Sequence, residues 1–364
     1  MTTETKFVIK IIFKAILVLL TCLVAIVLIY SAYLIFSYSR IDDNQDLSIT
    51  GRGKVSVAKT SEPYTIVTQN IGFGAYTKDF TFFMDGGKNS WAKSKESIAN
   101  CISLAVKEVK SVAPDFALLQ EIDIDSTRSY HMNELELIRP HFSEYQEVFA
   151  CNYHSAFLMY PLLQPHGTSN SGMATYSKID ISSALRRKLP ISEGFSKFLD
   201  LDRCYSVSRI PVENGKELLI YNIHSSAYGG DDNVRENQMM MLFNDMKTEY
   251  NNGNYCICGG DFNHDFTGNS TQELNGGEHV DFGWAKPFPT NMIPDGIIHC
   301  VNYSSGIQKP TCRNDDIPYV EGNFTFISDG FLVSENVSVT YLENIVTGFV
   351  YSDHNPVVMS FTLK

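Results

Sequence analysis

Apolar and polar positions divide the chain unevenly. From Ala15 to Ser39 there are 25 consecutive residues without a charge, mostly Ile, Leu, Val, Ala, Phe and Tyr. A helix of that length spans ~37 Å, more than the ~30 Å hydrocarbon core of a bilayer requires, so the run predicts one transmembrane helix. Lys6, Lys10 and Lys14 precede it, and Asp42, Asp43 and Asp46 follow. That bias places the amino terminus in the cytoplasm and the body outside the cell membrane. A cleaved signal peptide fits less well, because its apolar region runs to only ~7–15 residues and the nearest small-x-small site is the weak Ser37-Tyr38-Ser39. Residues 40–63 are polar and mixed and read as a linker. The expected layout is a basic cytoplasmic segment 1–14, a membrane helix 15–39, a linker 40–63 and a catalytic body 64–364.

Within the body the apolar period alternates between strand and helix. The β-branched run Tyr64–Asn70 predicts a strand. In residues 91–112, Ile98, Cys101, Ile102, Ala105, Val106 and Val109 fall on one helical stripe. Pro114 ends that helix, and Asp115–Gln120 reads as a buried strand. Residues 127–140 look helical, with short strands near 145–150 and 173–177. Segments 203–212 and 217–223 flank Asn214-Gly215, a two-residue hairpin signal. A helix is expected from Asp232 to Tyr250 with Met239, Leu242, Phe243, Met246 and Tyr250 on its apolar side, where the consecutive methionines pack rather than bind. Residues 255–260 form a further buried strand. A loop-rich stretch, 264–323, precedes strands near 326–333, 338–342 and 357–363. Short strands interleaved with helices predict an α/β body of two packed sheets with helices outside.

Composition narrows the class. The chain is 44% hydrophobic and 19% charged, which excludes a disordered protein. Net charge is −12, and beyond residue 40 there are 25 basic against 40 acidic residues. A body this acidic is no general nucleic-acid scaffold, although a locally positive cleft is compatible with it. Among eight cysteines there is no Cys-x-x-Cys, and His-Glu-x-x-His is absent, so nothing supports a zinc-finger or zincin site. Cys300 and Cys312, close in one loop, are the pair able to form a disulfide in an exported body.

Polar residues cluster where the buried strands end. They are Gln69-Asn70, Gln120-Glu121, Asn222-Ile-His224, Gly260-Asp261-Phe262-Asn263, Ser328-Asp329 and Ser352-Asp353-His354. Side chains at several strand ends converge when those ends share one rim of a sheet. In this order the six elements resemble the endonuclease/exonuclease/phosphatase family, which holds deoxyribonucleases, neutral sphingomyelinases and inositol-polyphosphate 5-phosphatases, and the resemblance spans about residues 64–364. It implies a four-layer α/β sandwich of two mixed sheets with flanking helices, and a metal-dependent phosphoester hydrolase.

Attack on a phosphoester loads negative charge onto an anionic centre, so a cation and aimed donors must offset it. The resemblance implies Mg²⁺, with Mn²⁺ able to substitute, held by Glu121 with Asn70 and Asp353. It implies that Asp261 orients or deprotonates the attacking water, Asn263 and His354 contact phosphoryl oxygens, Asp329 fixes the His354 tautomer, and His224 serves the leaving oxygen. Whether Asp261 or His354 is the base stays open. Arg203 and Arg128 are candidate phosphate contacts. Tyr153 and His154 lie where deoxyribonucleases contact substrate, and His264 reads as a rim residue. The loop 264–323 carries Lys286, Lys309 and Arg313 against eight acidic residues, and Trp284, Phe288 and several Ile and Pro. That bias disfavours duplex DNA and points to a phospholipid or another membrane-proximal phosphoester handled by a monomer. A surface nuclease is the alternative, and a non-catalytic binding module on the same fold ranks below both.

Overall fold

The computed structural model describes residues 2–198, 202–227, 232–277, 284–301 and 308–364. It divides into two units, residues 1–40 and 41–364. The first is one helix, α1 (Thr3–Ser37), capped by the Thr2 hydroxyl. It starts twelve residues earlier than the apolar run, so Lys6, Lys10 and Lys14 lie on its first turns. Most of its Ile, Leu, Val and Phe side chains are exposed. It is long and apolar enough to cross a membrane.

The second unit begins with β1 (Gln45–Asp46), β2 (Ile49–Gly51), β3 (Tyr64–Asn70), α2 (Lys95–Ser111), β4 (Phe116–Asp123), α3 (Glu134–Ile138), β5 (Gln146–Leu158), β6 (Gly167–Ser177) and β7 (Ser183–Lys188). It continues through β8 (Cys204–Pro211), β9 (Glu217–His224), α4 (Asp232–Asn251), β10 (Tyr255–Asp261), α5 (Ser270–Glu273), β11 (Ile297–Cys300), β12 (Cys312–Arg313), β13 (Thr325–Phe326), β14 (Asp329–Ser334), β15 (Val337–Asn344) and β16 (Val357–Leu363). One mixed sheet runs β1-β7-β8-β9-β10-β14-β11, and the other runs β15-β16-β3-β4-β6-β5-β2.

Side-chain alternation along the strands separates three apolar layers. Phe116, Leu118, Ile220 and Ile257 point between the sheets. Ala117 and Leu119 point outward onto Ile98, Cys101, Ile102, Ala105 and Val109 of α2. Leu219, Tyr221, Cys256 and Cys258 point outward onto Met239, Leu242, Phe243 and Met246 of α4. The expected four-layer sandwich and both helix stripes are therefore present.

Two expectations change, and one open pairing is decided. Residues 41–63 are not a free linker: β1 pairs with β7 and β2 with β5, while Ala58 is fully buried. Arg186 donates to the carbonyls of Ile41 and Asp42, and the Ile41 N–H donates to Asp202. Polar edge strands carry no apolar run to distinguish them from a coil. The helix expected at 127–140 is instead α3 between short 3₁₀ turns, because Tyr130 and His131 adopt left-handed backbone angles and break it. Cys300 and Cys312 are not bonded; all eight cysteines are free thiols.

Candidate active site

Strand direction assembles the site. β3 and β4 are parallel in one sheet, and β9 and β10 are parallel in the other. Asn70, Glu121, His224 and Asp261 at their carboxyl ends consequently reach one rim. β14 runs antiparallel to β10 with Asp329 opposite Asp261. The turn carrying Asp353 and His354 enters β16, which runs antiparallel to β3, so these residues arrive at the same rim.

Two backbone devices aim the carboxylates. At Glu121 the register between β4 and β6 shifts, and its φ of 55° is a left-handed value rare for a non-glycine residue. The bulge turns Glu121 into the cleft. Gly260 has φ 151°, and a Cβ there would lie 2.0 Å from the Ile223 carbonyl oxygen. Only glycine lets β10 approach β9 closely enough to align Asp261 with His224.

Hydrogen bonds then orient the groups. Asn70 Nδ2 donates to Glu121 Oε1 at 3.2 Å and to Asp261 Oδ2 at 3.1 Å, while Asn70 Oδ1 accepts the Gly72 N–H at 2.9 Å. Asp261 Oδ1 accepts from Ser328 Oγ at 2.5 Å and from the Asn263 N–H at 2.9 Å. Asp329 Oδ2 lies 2.8 Å from His354 Nδ1, which leaves Nε2 facing Asp261 at 3.6 Å. His224 Nε2 lies 3.6 Å from Asp261 Oδ2 and 3.8 Å from Glu121 Oε1, while its buried Nδ1 has no hydrogen-bond partner among the described residues. That asymmetry favours the tautomer with the proton on Nε2.

Charge and burial oppose each other here. Burial pushes His224 down to about 3, so it is a neutral donor at pH 7. Burial also opposes charge on His354, but Asp329, Cys312, Asp261 and Asp353 outweigh it and raise its pKa well above the usual value. Asp261, although buried, stays below the usual carboxylate range because His354, His224, Ser328 and the Asn263 N–H favour its anion. Burial and the neighbouring Asp353 raise the pKa of Glu121. A divalent cation between Glu121 and Asp353 would relieve that repulsion, and carboxylate oxygens are the donors a hard ion takes. Asp261, Asp329 and His354 also hold ligand-type atoms within 4.8 Å of one another, so the site offers an acidic and histidine metal-binding group.

The arginines differ in what they can do. Arg128 lines the cleft, but its Nε and one terminal nitrogen donate to Asp123 at 3.0 and 2.9 Å, and its guanidinium lies 3.7 Å over the Phe73 ring. Its observed contacts are thus structural. Arg203 lines the same cleft. Tyr153 does too, whereas the His154 ring pairs with Asp202. His264 is not on the rim: it is buried, with Nδ1 on the Phe262 carbonyl and the ring against Phe288. Sequence reasoning missed Arg313, Asp315, Trp284 and Cys312, which also line the cleft. They lie in the irregular stretch 264–323, where no periodicity marks which side chains point inward.

Residues 67–354 match the Endonuclease/Exonuclease/phosphatase family. The chain belongs to that family, and it is a phosphoester hydrolase. No curated protein matches it in sequence. Among solved structures it is similar to an endonuclease/exonuclease/phosphatase protein from Bacteroides vulgatus at 13% identity and TM-score 0.52, over 84% of this chain and 100% of that one. It is also similar to D. rerio TDP2 complexed with a single-strand DNA product, at 12% identity and TM-score 0.51, over 83% and 100%. ANGEL2, a 2′,3′-cyclic phosphatase in complex with adenosine-2′,3′-vanadate, matches at 13% identity and TM-score 0.50, over 89% and 99%. At these identities the likeness is one of fold.

Proposed function

We propose that this protein is a Mg²⁺-dependent phosphoesterase, anchored by α1 with its body outside the cytoplasm, and that its substrate is a phosphoester borne by the membrane. The carrying observation is the loop between β5 and β6. Tyr160, Leu162 and Leu163 are 69%, 76% and 102% exposed, with Phe157 and Met159 at 39% each. Singly exposed apolar residues are common, but a contiguous run of them marks an interaction surface. This run extends from strands whose Asn152, Tyr153 and Ser171 line the cleft, and it ends at His166, which lines it too. Ser90 Oγ and Trp91 Nε1 hold its base by donating to the carbonyls of Gln164 and Pro165 at 2.5 and 2.6 Å. An apolar tip beside a polar cleft suits a substrate whose headgroup enters while its tails stay in lipid. Only seven residues, 38–44, separate the end of α1 from β1.

In this reading Glu121 and Asp353 hold Mg²⁺, and Asn70 fixes the Glu121 carboxylate. The bound ion would neutralise charge on the phosphoryl oxygens. Asp261, oriented by Ser328 and the Asn263 N–H, accepts a proton from the attacking water. His354, clamped at Nδ1 by Asp329, presents Nε2 to the phosphoryl group. His224 donates from Nε2 to the leaving oxygen, while Asn263 and Arg203 face the phosphate. Arg203 and Trp284, which line the cleft, are also compatible with a single-stranded nucleic acid, the second reading.

The test compares initial rates of the detergent-solubilised protein on mixed phospholipid vesicles, soluble inositol phosphates, RNA, and single- and double-stranded DNA, with Mg²⁺ and with EDTA. Vesicle turnover should be fastest, should vanish with EDTA and return with Mg²⁺ or Mn²⁺, and should fall in Leu162→Ser/Leu163→Ser while rates on soluble phosphoesters hold. Faster cutting of nucleic acid, with a steep loss on adding salt, would replace the lipid reading with the nuclease.

A further inference from the structure

Asp202 takes no part in the hydrolysis described above, yet it stands directly behind a candidate phosphate contact. It is fully buried, and the next residue, Arg203, lines the cleft. Its φ of 59° is a left-handed value. Aspartate tolerates that region better than most residues, but a buried side chain keeps it only where its surroundings over-determine it.

Three partners supply that determination. Asp202 Oδ1 accepts the Ile41 N–H at 2.7 Å, Oδ2 pairs with His154 Nδ1, and the Asp202 carbonyl accepts from Arg186 Nη2 at 2.6 Å. Arg186 is itself buried and donates to the carbonyls of Cys151 at 2.9 Å and Asp42 at 3.3 Å. His154 and Cys151 belong to β5 in one sheet, and Arg186 belongs to β7 in the other. Asp202 is therefore a strut between the sheets at the edge of the cleft. It joins the chain neighbours of two cleft-lining residues, because Tyr153 adjoins His154 and Arg203 adjoins Asp202.

The other side of Arg203 is fixed as well. Its carbonyl accepts the Leu189 N–H at 2.9 Å, and Cys204, which follows it, pairs in register with His224 across β8 and β9. A guanidinium binds phosphate best when two of its N–H groups are aimed at two oxygens. A long side chain loses rotamer freedom in doing so, and a binding group misplaced by about 1 Å can cost roughly 10²-fold. An anchored backbone sets the point from which that side chain reaches.

We propose that Asp202 is a positioning residue for phosphoester binding: its clasp on Ile41, His154 and Arg186 sets the place from which Arg203 meets the phosphoryl oxygens. The inference rests on the hydrolase reading, in which Arg203 faces the phosphate, and adds what holds Arg203 there.

The experiment uses the full chain in detergent with Mg²⁺ and measures the affinity for inorganic phosphate by calorimetry, with melting temperature recorded for each variant. Asp202→Ala and Arg203→Ala should each weaken binding roughly tenfold or more. Because Asp202 acts through Arg203, the double variant should bind no more than about twofold weaker than Arg203→Ala, so the two losses do not add. Asp202→Asn should stay within about twofold of wild type, since an amide still accepts the Ile41 N–H and tolerates the left-handed backbone. Should Asp202→Ala fail to fold, His154→Ala removes one arm of the clasp and should weaken binding roughly threefold. Wild-type affinity in folded Asp202→Ala or His154→Ala, additive losses in the double variant, or an Asp202→Asn loss equal to that of Asp202→Ala would overturn the positioning role. Wild-type affinity in Arg203→Ala would instead refute Arg203 as the phosphate contact, and the positioning role would fall with it.

Discussion

Gln120 Nε2 donates to Asn222 Oδ1 over 2.8 Å, joining β4 of one sheet to β9 of the other. Gln120 also donates to Thr68 Oγ1 at 3.1 Å, and Asn222 Nδ2 donates to the Ala174 carbonyl at 3.0 Å. Both side chains are fully buried, so each directly precedes or nearly adjoins a site residue without entering the chemistry. The pair holds the two sheets at the spacing that lets Glu121 and His224 face one cleft.

Breaking this cross-sheet bond should cost stability. Asn222→Ala leaves the Gln120 amide buried without that partner, a loss of about 1–3 kcal/mol. Urea unfolding monitored by circular dichroism would show it as a lower midpoint. An unchanged midpoint would mean that water replaces the lost amide.

The site assignments predict large kinetic effects. His354→Ala and Asp261→Asn should each lower turnover by ~10² or more, as expected for groups that act in the transition state. Asp329→Asn should act through the His354 tautomer, lowering kcat more than it changes KM. Full activity in the His354 or Asp261 variant, with the fold intact by circular dichroism, would refute the assigned roles.

Arg128 separates a structural from a substrate role. It forms a bidentate pair with the fully buried Asp123, so Arg128→Ala should destabilise the protein by about 3–5 kcal/mol through the charge left unpaired. A variant with wild-type stability and a raised KM would instead make Arg128 a substrate contact.

The His154–Asp202 pair carries a pH signature. Its hydrogen bond with Asp202 raises the His154 pKa above 6.5, against a smaller opposing effect of burial. The stabilisation is fully present below the unfolded value of 6.5 and is lost as pH rises through the folded value. Melting temperature should therefore fall, from this pair, as pH rises above 6.5 and through the raised folded value, and His154→Gln should reduce that fall. An equal pH dependence in wild type and variant would show that the pair contributes nothing.

Topology is open to a direct test. Because residues 41–63 are folded into the body, protease added to intact cells should cut near residues 38–44 and release a body of about 36 kDa, in proportion to 40.9 kDa for the whole chain. Complete protection until lysis would reverse the orientation inferred from the charge bias.

By itself the sequence determined what local periodicity and local chemistry can report. The apolar run after Lys14, the stripes of α2 and α4, the hairpin at Asn214-Gly215 and the polar strand ends were all legible because each depends on residues a few positions apart. Tertiary structure alone decided which distant residues meet. Parallel pairing of β3 with β4 and of β9 with β10 brought four strand ends to one rim, and Asp123 claimed Arg128. β12 set Cys312 against His354, 42 residues away, and residues 41–63 became sheet edges instead of a linker. The apolar tip at Tyr160–Leu163 reads locally like any core segment, and only its place at the end of two long paired strands leaves it exposed. Periodicity encodes which face of an element is apolar, whereas register and strand direction, set by packing across the whole body, choose what that face touches.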